Sequence, residues 1–256
     1  MKPISEADLI LNPDGSIYHL NLLPEDLAET VITVGDPDRV EAVSNYFDRV
    51  ELKKGKREFI THTGYIGSKR ITVISTGIGT DNIDIVLNEL DALVNIDFST
   101  RLPKDRLTSL ELIRIGTSGT LQPDIPVDSV LVTEYALGLD ALMHYYQQEN
   151  DADEDELLSA VREHLNIPGI APYLTKGSAD LLVRAGKGFL KGITVTAPGF
   201  YAPQGRQVRV FEPARIADEF ERLGQQGVKH LYITDAEFNL PPKAAPPATP
   251  PPVVPS

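Results

Sequence analysis

Three times in this chain a short run of β-branched and aliphatic residues ends in a loop punctuated by glycine. Residues 30–34 (TVITV) run into Gly35-Asp36-Pro37-Asp38-Arg39, and residues 70–75 (RITVIS) into Thr76-Gly77-Ile78-Gly79-Thr80-Asp81-Asn82. Leu112-Ile113-Arg114-Ile115 runs into Gly116-Thr117-Ser118-Gly119. Apolar runs of this length bounded by glycine read as strands of a parallel sheet, the third as a buried one. Helical signals follow. Pro37 suits a first helical turn with Asp36 as its N-cap, and Ile83, Val86, Leu87 and Leu90 recur at helical spacing within a helix predicted over 83–93. This alternation predicts parallel βαβ winding and an α/β fold. It also predicts where a ligand goes, because open α/β sheets bind at the C-terminal ends of their strands.

The remaining segments fill in around that plan. Residues 1–16 read as an irregular arm with a dense turn signal at Asn12-Pro13-Asp14-Gly15, followed by Ile17-Tyr18-His19-Leu20. Arg57-Glu58-Phe59-Ile60-Thr61-His62 is a strand or its entry, residues 97–108 a loop or insertion, and 129–133, 192–196 and 231–234 further strands. The acidic run 151–156 is a solvated helix start or a surface loop, continuing into an amphipathic helix over 157–165; a last helix is expected over 214–224. Residues 241–256 (PPKAAPPATPPPVVPS) have neither alternation nor helical period and are expected to be a disordered or polyproline-like tail. Such a tail is an inert linker or, less often, a docking motif.

Arg114 is the anomaly of its run, since a guanidinium stays charged and is almost never buried without a partner. Two partners fit. One is an anion cupped by Thr117, Ser118 and the backbone N–H groups around Gly116 and Gly119; the other is a neighbouring protein carboxylate. Arg39 poses the same question, because a cation in a first helical turn opposes the dipole. It serves either an anion docked at that end or Asp36 or Asp38 nearby. The loop Ala197-Pro198-Gly199-Phe200-Tyr201-Ala202-Pro203-Gln204-Gly205-Arg206 combines two aromatics, an amide and a guanidinium. Aromatic faces stack on planar heterocycles, and Gln with Arg can bond to a ring edge; a flexible surface turn is the competing account. Neither G-x-x-x-x-G-K-[ST] nor G-x-G-x-x-G occurs, which argues against a triphosphate or dinucleotide module.

Bulk properties narrow the classes further. With 256 residues, 41% hydrophobic and 24% charged, the chain suits a globular protein with ample core. A net charge of −13 argues against a general nucleic-acid binder, yet a few local arginines can still hold a small anion. With no cysteine there is no disulfide, thiolate nucleophile or Cys-ligated zinc. The N-terminus lacks the halves of a signal peptide and no apolar run nears the ~20 residues that span a bilayer, so a cytoplasmic protein without membrane association is expected.

Taken together, Ile17-Tyr18-His19-Leu20, Gly35-Asp36-Pro37-Asp38-Arg39, Arg57-Glu58-Phe59, Ser75-Thr76-Gly77-Ile78-Gly79, Arg114-Ile115-Gly116-Thr117-Ser118-Gly119 and Phe200 through Arg206 resemble, in order, the uridine phosphorylase branch of the nucleoside phosphorylase family. The resemblance covers about residues 17 to 234. It implies a three-layer α/β/α sandwich with a mixed, distorted central sheet in a domain over 17–240. It also implies a homo-oligomer, a dimer or a trimer of dimers, with active sites across the dimer interface. The implied reaction is phosphorolysis of uridine to uracil and ribose 1-phosphate. Inorganic phosphate is the co-substrate, and no cofactor or metal is needed. Gly35, Arg39, Arg114 and Thr117 would hold phosphate, joined by Arg57 of the neighbouring subunit. His19, also the neighbour's, would touch the ribose 5′-hydroxyl. Ser118 and Gly119 would line the nucleoside, Phe200 would pack on the pyrimidine, and Gln204 and Arg206 would bond to its oxygens and N3. Arg114, Thr117, Gln204 and Arg206 are the expected catalytic residues.

One departure stands out. Relatives continue from the last strand into a Glu-Met-Glu motif whose last two residues bind base and ribose, whereas this chain has Glu237, Phe238 and Asn239 before the proline-rich tail. A frame cut short or shifted near Asp235 would account for this, with activity impaired or lost. The alternative to an enzyme is an inactive homologue that binds phosphate or nucleoside, or acts only through oligomerisation.

Overall fold

The computed structural model describes residues 2–165, 167, 169–206 and the backbone of 231–233. Phe238 and Asn239, the helix expected over 214–224 and the tail lie outside the described residues.

Two five-stranded mixed sheets carry the fold. The first contains β1 (Thr30–Val34), β2 (Arg49–Lys56), β3 (Phe59–Ile66), β4 (Lys69–Ser75) and β7 (Glu111–Arg114), in the order β2-β3-β4-β1-β7. β1 runs parallel to both β4 and β7, as the βαβ signal requires, whereas β2, β3 and β4 form an antiparallel meander. The second contains β8 (Gly119–Thr120), β9 (Leu131–Gly138), β10 (Tyr173–Lys176), β11 (Leu190–Thr196) and β12 (Leu231–Ile233), in the order β10-β9-β11-β12-β8. There β9, β11 and β12 are parallel and the two outer strands antiparallel.

Alternation along β1 and β4 explains the layers. Val34, Ile71 and Val73 pack with Val40 of helix α1 (Asp38–Ser44) and with Phe47. Val31 and Ile74, one residue out of phase, face Val86, Leu90 and Leu93 of helix α2 (Thr80–Asn95). Side chains alternate across a strand, so β-branched residues on both phases put a helix on each face. Burying a Val or Leu side chain contributes roughly 1.5–3 kcal/mol, which makes these two faces the main support of the first sheet. The predicted stripe on α2 needs one correction: Leu87 is 43% exposed, and the buried ridge is Val86, Leu90 and Leu93.

Leu9, Ile17, Leu20 and Leu22 join the same core, so the irregular N-terminal segment is packed onto the domain. Arg101, in the loop between the short strands β5 (Ile96–Asp97) and β6 (Leu102–Pro103), holds it there. Its Nε donates to the Ile4 carbonyl (2.8 Å), and its guanidinium also donates to the carbonyls of Ser5 and Leu9.

The second sheet buries Leu137, Leu174, Ile193 and Val195 against Leu158 and Val161 of α3 (Ala152–His164). The acidic run opens that helix. Asp151 Oδ1 accepts from the N–H groups of Asp153 and Glu154 (both 3.0 Å), while Glu154 Oε2 accepts from the Asp151 N–H (2.8 Å), a reciprocal cap.

Two further expectations are revised. The Arg114 run is not a buried strand: β7 is the edge of its sheet, Leu112 and Ile115 are 38% and 47% exposed, and Arg114 is exposed too. An edge strand has one neighbour, and hydrophobicity alone does not say which strand stands last. Helix α1 starts at Asp38, with Pro37 at the cap position; the Asp36 carboxylate accepts from the Asp38 N–H (2.9 Å). Among the described residues no helix is long and apolar enough to cross a membrane.

Candidate active site

Because β1, β4 and β7 are parallel, their C-terminal ends share one edge. Register fixes the level: Val34 pairs with Ser75 and Thr33 with Arg114. Pairing continues one step further, where the Thr76 N–H donates to the Val34 carbonyl (2.8 Å) and the Ile115 N–H to the Thr33 carbonyl (2.9 Å). The three glycine loops therefore leave side by side. Gly35 begins the first, Arg39 stands in the first turn of α1, and the Arg114 guanidinium lies over Gly116, where a Cβ would sit 3.7 Å from its Nε.

The β2–β3 hairpin brings Arg57 to this edge. Lys56 pairs with Phe59, so Arg57 and Glu58 form the whole turn. Ser75 Oγ donates to the Glu58 carbonyl (2.5 Å), and a Cβ on Gly77 would meet Glu58 Cγ at 3.0 Å, tying the turn to the second glycine loop. Arg57 is exposed and adopts φ +58°, a left-handed conformation that costs a non-glycine residue about 1–3 kcal/mol. Gly35, Arg39, Arg57, Arg114 and Thr117 thus share one sheet edge.

Residues 115–118 cross from the first sheet to the second. Gly119 pairs with Ile233 at the C-terminal end of β12, and β11 ends on the same side, Val195 opposite Ile233. The 197–206 loop leaves β11 there, so Ser118 and Gly119 join the two strand-end edges. In that loop the Arg206 guanidinium stacks over Phe200 at 4.1 Å, and Phe200 meets Tyr201 edge-on at 5.2 Å. Desolvation holds the Arg206 pKa below the usual guanidinium range. Among the described residues, neither Nε2 nor Oε1 of Gln204 has a hydrogen-bond partner, although both atoms are buried. A buried, unbonded polar group costs about 1–3 kcal/mol, and a folded chain keeps one most readily where a ligand completes it.

His19 sits apart from these loops in the sequence but is held firmly. Its Nδ1 lies 2.6 Å from Glu89 Oε1 on α2, and the Glu89 carboxylate also accepts from the backbone N–H groups of His19 (3.1 Å) and Leu20 (2.9 Å). The Tyr18 carbonyl accepts from Lys56 Nζ (2.5 Å), whose ammonium lies 4.0 Å from the centre of the Tyr18 ring. His19 and Arg57 are therefore each next in sequence to one member of a single contact. Sequence reasoning did not single out Glu89; one acidic residue beside a buried helical ridge is too common to signal a role. His62 is histidine of another kind, buried with its Nδ1 2.8 Å from Ser44 Oγ and its pKa lowered by desolvation.

The arrangement can do specific chemistry. Guanidinium groups and loop N–H groups along one edge suit a tetrahedral dianion. An aromatic–guanidinium stack beside an unbonded amide suits a planar ring with acceptors and an N–H on its edge. A cavity of about 350 Å³ beside α3, lined by His144, Gln148, Asn150, Asp155, Arg162 and Tyr173 among others, contains none of these groups.

Comparison with known proteins gives the family. The model of the phosphorylase superfamily matches residues 29–228. Uridine phosphorylase of Haemophilus influenzae is 32% identical over 194 residues, 74% of this chain and 65% of that protein. Uridine phosphorylase of Escherichia coli is 31% identical over 219 residues, 81% and 74% of the two chains. This chain spans less than two thirds of the Haemophilus protein's length. A crystal structure of a Trypanosoma brucei nucleoside phosphorylase, described as showing uridine phosphorylase activity, superposes with a TM-score of 0.75 at 31% identity, covering 84% of this chain and 77% of that one. The chain belongs to the phosphorylase superfamily, in its uridine phosphorylase branch.

Proposed function

We propose that this protein carries out phosphorolysis of uridine. A phosphate oxygen bonds to C1′ as the C1′–N1 bond breaks, giving ribose 1-phosphate and a uracil anion that then takes up a proton. Arg39, Arg114 and Thr117, with the Gly35 backbone and Arg57 of a neighbouring subunit, hold the phosphate under the sugar. Positioning of this kind supplies ~7–11 kcal/mol of such a barrier. Charge grows on the base as the bond breaks, and Gln204 with Arg206 stabilises it at the ring edge while Phe200 packs on the ring. Ser118 and Gly119 line the nucleoside, and the neighbour's His19 receives the 5′-hydroxyl. The active form is a homo-oligomer, a dimer or trimer of dimers, working in the cytoplasm with phosphate as its second substrate.

The observation that carries this reading is the buried Gln204 amide, without a partner among the described residues, in the same loop as an arginine stacked on an aromatic ring. The test is uracil release from uridine with phosphate present, run beside calorimetry with the same ligands. Turnover supports the reading; neither turnover nor binding overturns it. Asn239, where relatives have a ribose-binding glutamate, favours a second reading in which nucleoside binds but reacts slowly. Losing a charge-assisted contact made in the transition state costs roughly 10²–10³ in rate, so Asn239→Glu is expected to raise turnover. Full activity without that change removes the second reading.

A further inference from the structure

We infer that Glu89 is a positioning residue that decides which nitrogen of His19 meets the sugar. This rests on the proposed function for the identity of the sugar, but the geometry stands by itself. An ionised carboxylate only accepts hydrogen bonds, so at 2.6 Å from Glu89 Oε1 the Nδ1 of His19 must carry the hydrogen. In the neutral ring Nε2 is then the acceptor, and it is the nitrogen that Glu89 leaves for another partner. The pair is largely shielded: the Glu89 side chain is 13% exposed and that of His19 26%. Two further bonds, from the N–H groups of His19 and Leu20, pin the backbone to the same carboxylate, so ring and main chain cannot turn independently. Tyr18 closes the other side, its ring edge-on to the imidazole with centroids 4.8 Å apart. The fully buried Leu20 and Leu22 anchor the segment in the core.

An acceptor of this kind selects a donor, and a free 5′-hydroxyl is one. Glu89 and His19 belong to the same chain, so each subunit would present an already oriented acceptor to its neighbour's pocket. Lys56, bonded to the Tyr18 carbonyl, couples that presentation to the adjacent Arg57.

The decisive variant is Glu89→Gln. Glutamine can keep the backbone bonds through its oxygen, but its NH₂ then faces Nδ1 and forces the hydrogen onto Nε2. Nitrogen-15 NMR of the imidazoles, with His19 assigned by its loss in His19→Asn, is expected to show Nδ1–H in the parent and Nε2–H in Glu89→Gln. In parallel, kcat/KM for uridine is expected to fall roughly tenfold, the size of one well-placed hydrogen bond, while that for 5′-deoxyuridine stays within about twofold. Equal losses on both nucleosides would mean a merely structural role and overturn the inference, as would an Nε2–H ring in the parent. If the parent turns over neither nucleoside, the proposed function fails, and the tautomer measurement still decides for or against Glu89.

Discussion

Replacing Gln204 by leucine separates the cost of the site from its use. Both amide atoms of Gln204 are buried without partners among the described residues. Each such atom costs about 1–3 kcal/mol. The two share one rotatable group on a residue that is only partly buried, so the lower end applies and about 2 kcal/mol in total is a fair figure. Leucine has similar bulk and nothing to satisfy. Gln204→Leu is therefore expected to raise Tm by roughly 4–8 °C, at about 2–4 °C per kcal/mol for a chain of this size. The same change removes the base contact, so kcat/KM for uridine is expected to drop by roughly 10²–10³. Thermal melts with and without uridine plus phosphate measure the first effect; uracil release measures the second. The ligand-induced rise in Tm should be present in the parent and absent in the variant. A variant less stable than its parent would show that the amide is satisfied in the folded protein, and the reasoning from its burial would be refuted.

Three other perturbations follow the same logic. Arg57→Gly relieves a left-handed backbone at φ +58° and is expected to add about 1 kcal/mol of stability while raising KM for phosphate, checked by urea denaturation and initial rates. Arg101→Ala removes the guanidinium that binds the carbonyls of Ile4, Ser5 and Leu9, and is expected to speed amide exchange over residues 4–17 and cost about 2 kcal/mol; unchanged exchange would show that the apolar anchors suffice. His62 is held below its ordinary pKa of 6.5 chiefly by burial. The unfolded chain then binds more protons than the folded one between the depressed value and 6.5, so His62 makes stability fall as pH drops through that window. His62→Asn should flatten that part of a stability–pH curve, and an unchanged slope would refute the assignment.

How much of this was legible in the sequence depends on what each feature needs to exist. The strands with their glycine loops could be read because β-branched runs and turn chemistry are local properties, and they put Gly35, Arg39, Arg114 and Thr117 at strand ends before any fold was known. That those ends share an edge is a matter of register, Thr33 opposite Arg114 and Val34 opposite Ser75, and no single strand contains it. The place of β7 at the sheet's edge was missed for a related reason. Leu112-Ile113-Arg114 looks buried until one counts its neighbours, and a strand's neighbours are chosen by the whole topology. Leu87 fell at the right helical spacing but outside the arc that the first sheet covers.

Arg57 is marked as a site residue by family likeness alone and Gln204 by its loop chemistry as well, and what marks each physically is a departure from the folding rules that make the rest readable. A non-glycine residue turns a two-residue hairpin at positive φ, and an amide is buried with no partner among the described residues. Both departures cost stability in the isolated chain, and both lie at strand ends, Arg57 in the β2–β3 turn of the first sheet and Gln204 in the loop that leaves β11 of the second. Such costs occur elsewhere too: Asn21, Arg101 and Asp128 also adopt positive φ, and Thr61 Oγ1 is buried without a partner among the described residues. What sets Arg57 and Gln204 apart is the proposed ligand, because phosphate and base recover in the complex what the empty fold gives up. If Arg57→Gly and Gln204→Leu both stabilise the free protein, yet both lower the Tm gained with uridine and phosphate, both costs belong to ligand binding, Arg57 in the neighbour's pocket and Gln204 in its own. If either stabilises the free protein and leaves ligand binding intact, that residue is a defect of the fold and not part of the machinery.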